Sequence, residues 1–288
     1  MALYVNEEKI ENALITSEMD RLRPDYQQVF ANQSKQEQEK QLADWARENI
    51  IEATLFRQQA REVFPEIEQP EIQSTLQHLL EREGQDGLLY QRLQAGSQEQ
   101  KKLYEEIADQ IRHERLHSQI TNNIQQPSEK QIRKYYDQHL TDRFTIPEMV
   151  HAAHIVKHPK ADESSERPYQ HICQIKEKLD SGISFEELAE ASSDCPDSAG
   201  DLGFFARGKM VTAFEEVVFN LEAGSYSDVF ETEFGWHIAK VIEKRPPTPC
   251  SLEQVHKVIV QDLTRQAEEK ILEQFLDTEK ENASIEKR

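Results

Sequence analysis

Along residues 38–63 the apolar positions Leu42, Trp45, Ala46, Ile50 and Ala53 recur at spacings of three and four, one stripe of a helix. Residues 71–93 repeat the pattern with Ile72, Leu76, Leu79 and Leu80, interrupted around Gly84–Gly87. Residues 98–124 carry Leu103, Ile107 and Ile111, then Leu116, Ile120 and Ile124. Pro127 punctuates the chain, and Ser128 with Gln131 forms a capping box that opens a helix bearing Ile132, Tyr135 and Tyr136. Residues 1–145 therefore read as a mainly helical domain.

The texture changes after Pro147. Residues 149–156 alternate and are rich in β-branched or small side chains, the signature of a strand. A polar loop (159–167) and a helix (168–179) follow, and Ser184 with Glu187 opens another helix. Residues 201–205 predict a short strand. Thr212 and Glu215 read as a further capping box, with Phe214, Val217, Val218 and Leu221 on one helical face and Gly224 closing it. Two more strands are predicted at 229–231 and 234–243. Residues 146–246 thus make an α+β unit of ordinary domain size. Pro246-Pro247-Thr248-Pro249 reads as a stiff extended linker. Past a capping box at Ser251, residues 251–288 predict an amphipathic helix with Val255, Ile259, Leu263, Ala267, Ile271 and Phe275 in one row. Packing that row on the N-terminal helical domain would make the α+β unit an insertion.

Charge narrows the classes of function. The 288-residue chain has 34 Lys and Arg against 54 Asp and Glu, a formal net charge of −20, which repels nucleic-acid phosphates and anionic bilayers alike. No run of apolar residues is long enough to span a membrane, and the first twenty residues lack the basic and apolar regions of a signal peptide, so the cytoplasm is the expected compartment. The three cysteines (Cys173, Cys195 and Cys250) are an odd number, contrary to a disulfide framework.

Candidate chemistry sits in the α+β unit. His151, His154 and His158 would share a helical face and suggest a metal. On a strand, however, 151 and 154 point to opposite sides, and no Cys or carboxylate stands at a ligand spacing, so neither metal nor cofactor is expected. Cys195, in a polar loop, is a candidate nucleophile.

A longer constellation decides the reading. Ala153-His154-Ile155-Val156-Lys157-His158, Phe185 to Ala189, Ser193-Asp194-Cys195, Gly200 to Phe205, Arg207-Gly208-Lys209-Met210, Phe214-Glu215, and Thr232 with Gly235-Trp236-His237-Ile238 stand in one order. Residues 148–243 thereby resemble the parvulin family of peptidyl-prolyl cis-trans isomerases. The flanking helices resemble, more loosely, the chaperone arms of SurA- and PrsA-type isomerases. The resemblance implies a small antiparallel sheet with surrounding helices, inserted in a mainly α protein. It implies a proline seat of Leu202, Met210 and Phe214 bordered by Phe205 and Phe234. It also implies a polar centre of His154 and His237, with Thr232 in the same hydrogen-bond network and Cys195 facing the substrate carbonyl.

Parvulins that prefer phosphorylated serine or threonine before proline carry a basic cluster after the first strand. Here Lys157, Lys160 and Arg167 are matched by Asp162, Glu163 and Glu166, so phosphate recognition is not expected. The expected function is isomerisation of X-Pro bonds in unfolded or nascent clients held by the helical domain. The rival is a non-catalytic holdase or dedicated maturation chaperone, as in nitrogenase-maturation parvulins, that uses the parvulin unit to dock peptides. The oligomeric state stays open, a dimer included.

Overall fold

A computed structural model describes residues 2–30, 34–83, 87–159 and 166–288. It divides into two compact units, Met1–Pro127 with Val260–Arg288, and Ser128–Ile259.

The first unit begins with a hairpin absent from the helical expectation. Strands β1 (Leu3–Val5) and β2 (Glu8–Ile10) pair antiparallel around Asn6 and Glu7, both at positive φ. Helices α1 (Asn12–Val29), α2 (Lys35–Val63), α3 (Gln69–Glu83), α4 (Leu88–Gln94) and α5 (Ser97–Thr121) follow. Ile72 and Leu76 of α3 pack with Leu103, Ile107 and Ile111 of α5, the stripes expected. In α2 Leu42 and Ala46 are buried as expected, and beyond them the row moves from Ile50 and Ala53 to Ile51, Leu55, Phe56 and Ala60. Ile51 and Leu55 cluster with Leu3, Val5 and Ile10 of the hairpin, whereas Phe56 and Ala60 cluster with Leu116. Trp45 is 49% exposed, its ring edge against Tyr26 and Phe30 rather than in the core. The interruption expected at Gly84–Gly87 falls largely outside the described residues.

The second unit opens with α6 (Glu129–Gln138), a helix the sequence pattern groups with residues 1–145. Its start is the expected capping box, with the Ser128 amide donating to Gln131 Oε1 at 2.9 Å. Then come β3 (Thr145–Ile146), β4 (Met149–Lys157), α7 (Glu166–Asp180), α8 (Phe185–Ser192), a 3-10 turn (Asp197–Gly200), β5 (Asp201–Ala206), α9 (Thr212–Asn220), β6 (Phe230–Thr232), β7 (Gly235–Arg245) and β8 (Thr248–Pro249). Four strands form an antiparallel sheet in the order β5-β4-β7-β6. One cluster is built on Ile155, Ile172, Ile175, Phe185 and Ile238, the other on Val150, Phe205, Phe214, Val218 and Val241. The Pro-rich segment is no free linker: β8 pairs with β3, and the Cys250 amide donates to the Phe144 carbonyl at 2.8 Å.

The chain leaves the second unit within α10 (Leu252–Asn282), whose residues from Val260 onward belong to the first. There Leu272, Phe275 and Leu276 pack against Phe56, Ala60 and Leu116. The last strand, β9 (Ile285–Lys287), pairs with β1, so β1 is the centre of a three-stranded sheet. Among the described residues no helix is long and apolar enough to cross a membrane.

Candidate active site

A cavity of about 460 Å3 opens in the second unit, lined by His154, Leu202, Gly208, Lys209, Met210, Val211, Phe214, Phe234 and His237. The sheet register builds its floor. β4 and β7 pair with His154 opposite Ala239 and Val156 opposite His237, so both imidazoles leave the same face of neighbouring strands. Their ring centroids lie 5.6 Å apart. Phe214, from the first turn of α9, stands edge-on to both rings, at 6.0 Å from His154 and 5.9 Å from His237. Leu202 comes from β5, Met210 from the β5–α9 loop and Phe234 from the β6–β7 turn.

The polar centre is neutral by construction. His237 is 4% exposed, and burial, reinforced by nearby His154 and His158, brings its pKa down to about 4. Burial, then the neighbouring His158, lowers His154 as well. His237 Nε2 lies 2.8 Å from Thr232 Oγ1, which also accepts from the Phe234 amide at 3.1 Å. His237 Nδ1 is buried with no partner among the described groups. Thr232, expected among the substrate-binding residues, is outside the cavity lining and meets the site through His237.

Two further expected site residues also lie outside the lining. Phe205 does not border the cavity; it is 5% exposed, pairs with Val150 on β4, and is buried with Val150 and Phe214 in the cluster against which the half-buried Leu202 packs. Cys195 is exposed and outside the cavity wall, its Sγ 3.5 Å from His158 Nε2. The 193–195 loop is nevertheless anchored. The Val156 and Cys195 amides donate to Ser193 Oγ, and Asp194 accepts from Lys157 Nζ at 2.7 Å and the His158 amide at 2.9 Å.

Close backbone packing also shapes the site. Gly200 has φ +74, and a Cβ there would fall 2.0 Å from the His154 carbonyl oxygen. Gly235, at φ +128, meets the Lys157 carbonyl in the same way.

Two side chains bear on the cavity that the sequence pattern assigns to other duties. His158, taken as an ordinary histidine, has Nδ1 2.7 Å from the Phe234 carbonyl. Glu215, read as part of a capping box with Thr212, caps no helix in that way. Val211 is the residue before the helix, and the Glu215 carboxylate instead accepts from the amides of Gly208, Lys209 and Met210. The signal for both was a polar residue inside a matching segment, but their partners are set by loop geometry.

Residues 154–243 match the rotamase family model, described as the PPIC-type PPIASE domain. The chain carries a PPIC-type PPIase domain. Among curated relatives, Chaperone SurA of Nitrosococcus oceani is 34% identical over 174 residues, 59% of this chain and 40% of that protein. Foldase protein PrsA of Geobacillus kaustophilus is 38% identical over 120 residues, 41% of this chain and 37% of that one. The chain thus spans about two fifths of the length of these relatives. A solved structure concerning PEB4 and Cj1289, described as structurally related SurA-like chaperones of Campylobacter jejuni, aligns over 99% of this chain and 98% of its own, with a TM-score of 0.50 and 20% identity. That likeness is one of fold: a PPIase domain with its small antiparallel sheet among the helical segments of a SurA-like protein.

Proposed function

We propose that the protein is a peptidyl-prolyl cis-trans isomerase acting on X-Pro bonds of unfolded or nascent polypeptides, with the helical unit holding the client. The observation that carries this reading is the cavity itself, an apolar wall of Leu202, Met210, Phe214 and Phe234 closed over two neutral imidazoles. The reaction breaks no covalent bond; its barrier of ~20 kcal/mol is lost amide resonance. A catalyst must grip the pyrrolidine ring while the amide turns, and favour the twisted amide over the planar one. A thousand- to millionfold acceleration takes roughly 4–8 kcal/mol of such preference.

Each side chain has a place in that scheme. Met210 and Phe214 seat the ring, with Leu202 and the exposed Phe234 on either side. His154 and His237, kept uncharged and fixed through Thr232, set the shape and polarity of the floor and shuttle no protons. Cys195, outside the wall, acts through the polarity of its loop; twisting an amide requires no acyl intermediate. Phosphate is not the recognised group. Lys157 is committed to Asp194, and Lys160, Asp162 and Glu163 lie outside the described residues.

The test is NMR exchange spectroscopy of unphosphorylated X-Pro peptides with the full chain. Faster cis/trans exchange supports an isomerase. Binding without acceleration would move the assignment to a holdase or maturation chaperone.

A further inference from the structure

We infer that Glu215 is a positioning residue of the PPIase site, its carboxylate holding the 208–210 segment in the shape that makes one wall of the proline seat. The inference rests on the functional reading above and extends it to a residue that touches no substrate.

Three consecutive backbone amides converge on this one side chain. Gly208 N–H donates to Oε2, and the Lys209 and Met210 N–H groups both donate to Oε1, each at 2.9 Å. Such an arrangement is an anion nest filled by the chain's own carboxylate, and its bonds are charge-assisted. Glu215 is 7% exposed and absent from the cavity lining, whereas Gly208, Lys209, Met210 and Val211 all line it. Gly208 has φ +85, the left-handed turn that lets three successive N–H groups face inward. The Gly208 bond, followed by those from Met210 and Lys209, holds the carboxyl below its ordinary pKa against the opposing effect of burial.

The chemistry explains why a carboxylate stands here. It offers only acceptors, enough for three donors on two oxygens. A carboxamide has one acceptor oxygen and turns an NH2 group toward backbone N–H groups, so at least one amide loses its partner. Met210, an unbranched side chain with three flexible bonds, takes its place beside Phe214 from a backbone whose amide this carboxylate holds.

The experiment uses the full chain, wild type and with Glu215→Gln or Glu215→Asp. In the wild type the Gly208, Lys209 and Met210 amide protons should lie downfield and exchange slowly with solvent. Unprotected amides at all three positions overturn the inference before any variant is made. In Glu215→Gln these signals should move upfield, and X-Pro exchange catalysis should drop about ten- to a hundredfold with amides on the α7 side of the sheet unmoved. Glu215→Asp, which keeps the charge, should recover part of the loss. Unchanged catalysis in a folded Glu215→Gln overturns the inference, as does a loss that tracks only the unfolded fraction. If the wild type binds an X-Pro peptide without isomerising it, the catalytic reading fails alone. Peptide affinity then decides about Glu215, weaker binding by Glu215→Gln supporting it and equal binding overturning it. A wild-type chain that neither binds nor isomerises overturns both.

Discussion

His158 Nε2 lies 3.5 Å from Cys195 Sγ, while the Nδ1 of the same ring lies 2.7 Å from the Phe234 carbonyl oxygen. A carbonyl only accepts, so Nδ1 carries the proton, and a neutral His158 presents its bare Nε2 to the thiol. One imidazole therefore joins the Cys195 loop to the turn that supplies Phe234 to the cavity. The thiol has a hydrogen-bonded structural place that demands no covalent chemistry.

Cys195→Ser should accordingly retain X-Pro isomerisation within about tenfold of wild type, because a hydroxyl can replace the thiol as donor to His158 but is a far poorer nucleophile. Exchange spectroscopy on the two proteins reads this directly. Complete loss in a folded Cys195→Ser would establish an attacking thiolate. In the wild type, iodoacetamide followed by peptide mass mapping should label exposed Cys195 ahead of half-buried Cys173 and Cys250.

The proposed proline seat combines a half-buried cavity residue with residues that also support the fold. Met210 is half-buried, and Met210→Ala should lower kcat/KM about tenfold or more while leaving far-UV circular dichroism and the unfolding midpoint close to wild type. Phe214 and Phe205 are 4% and 5% exposed within one core cluster. Truncating either to alanine should cost about 3–5 kcal/mol in urea unfolding, and Phe205→Ala should spare KM at temperatures where it is folded. An unchanged turnover in Met210→Ala would remove the seat assignment.

Stability should fall on mild acidification. Folding depresses the pKa of His237 from the ordinary 6.5 to about 4, and lowers His154 in the same direction. Between those values the unfolded chain binds more protons than the native one, so the contribution is complete above about pH 6.5 and is lost as pH drops toward 4. For His237 alone it is on the order of 3 kcal/mol. Carboxylates such as Glu215, whose pKa values folding also lowers, add their losses only below the normal carboxylate range. Urea unfolding of the second unit's signals at pH 7.5, 6 and 5 measures the slope, and His237→Gln should flatten it. A slope unaltered by that replacement would contradict the buried neutral imidazole.

Gly200 and Gly203 offer a paired comparison. Both have positive φ, at +74 and +67, but a Cβ on Gly200 meets the His154 carbonyl whereas one on Gly203 has nothing within 4 Å. Gly203→Ala should therefore cost only the conformational strain of about 1–3 kcal/mol. Gly200→Ala should cost more and shift the His154 and His237 side-chain resonances. Equal destabilisation in the two variants would remove the close contact as the reason for glycine at 200.

The cavity was legible because its residues lie in short segments whose order and chemistry are distinctive, and His154, Leu202, Met210, Phe214, Phe234 and His237 do line one space. What escaped depends on partners that neither periodicity nor a local motif pairs. Phe205 shares its cluster with the cavity residues Leu202, Met210 and Phe214, and only its depth among them separates core from wall. Glu215 stands three residues after Thr212, the spacing of a capping box, and only the loop preceding α9 reveals where its carboxylate turns. The prolines at 246, 247 and 249 suggest a linker until β3 pairs with β8. A three-residue strand such as β1 is too short for periodicity to separate from a helix start.

The pairing of β1 with β9 also fixes a schedule. Ala2 and Arg288 exchange backbone hydrogen bonds, Ala2 N–H to the Arg288 carbonyl at 2.6 Å and Arg288 N–H to the Ala2 carbonyl at 2.9 Å. A ribosome makes residues 128–259 before it makes residues 285–287, so every contact within the PPIase-containing unit is available while β1 still awaits one of its two neighbours. Of the two units the helical one is then the later to close, and a chain stalled short of Ile285 would carry a finished cavity together with an unfinished β1 edge.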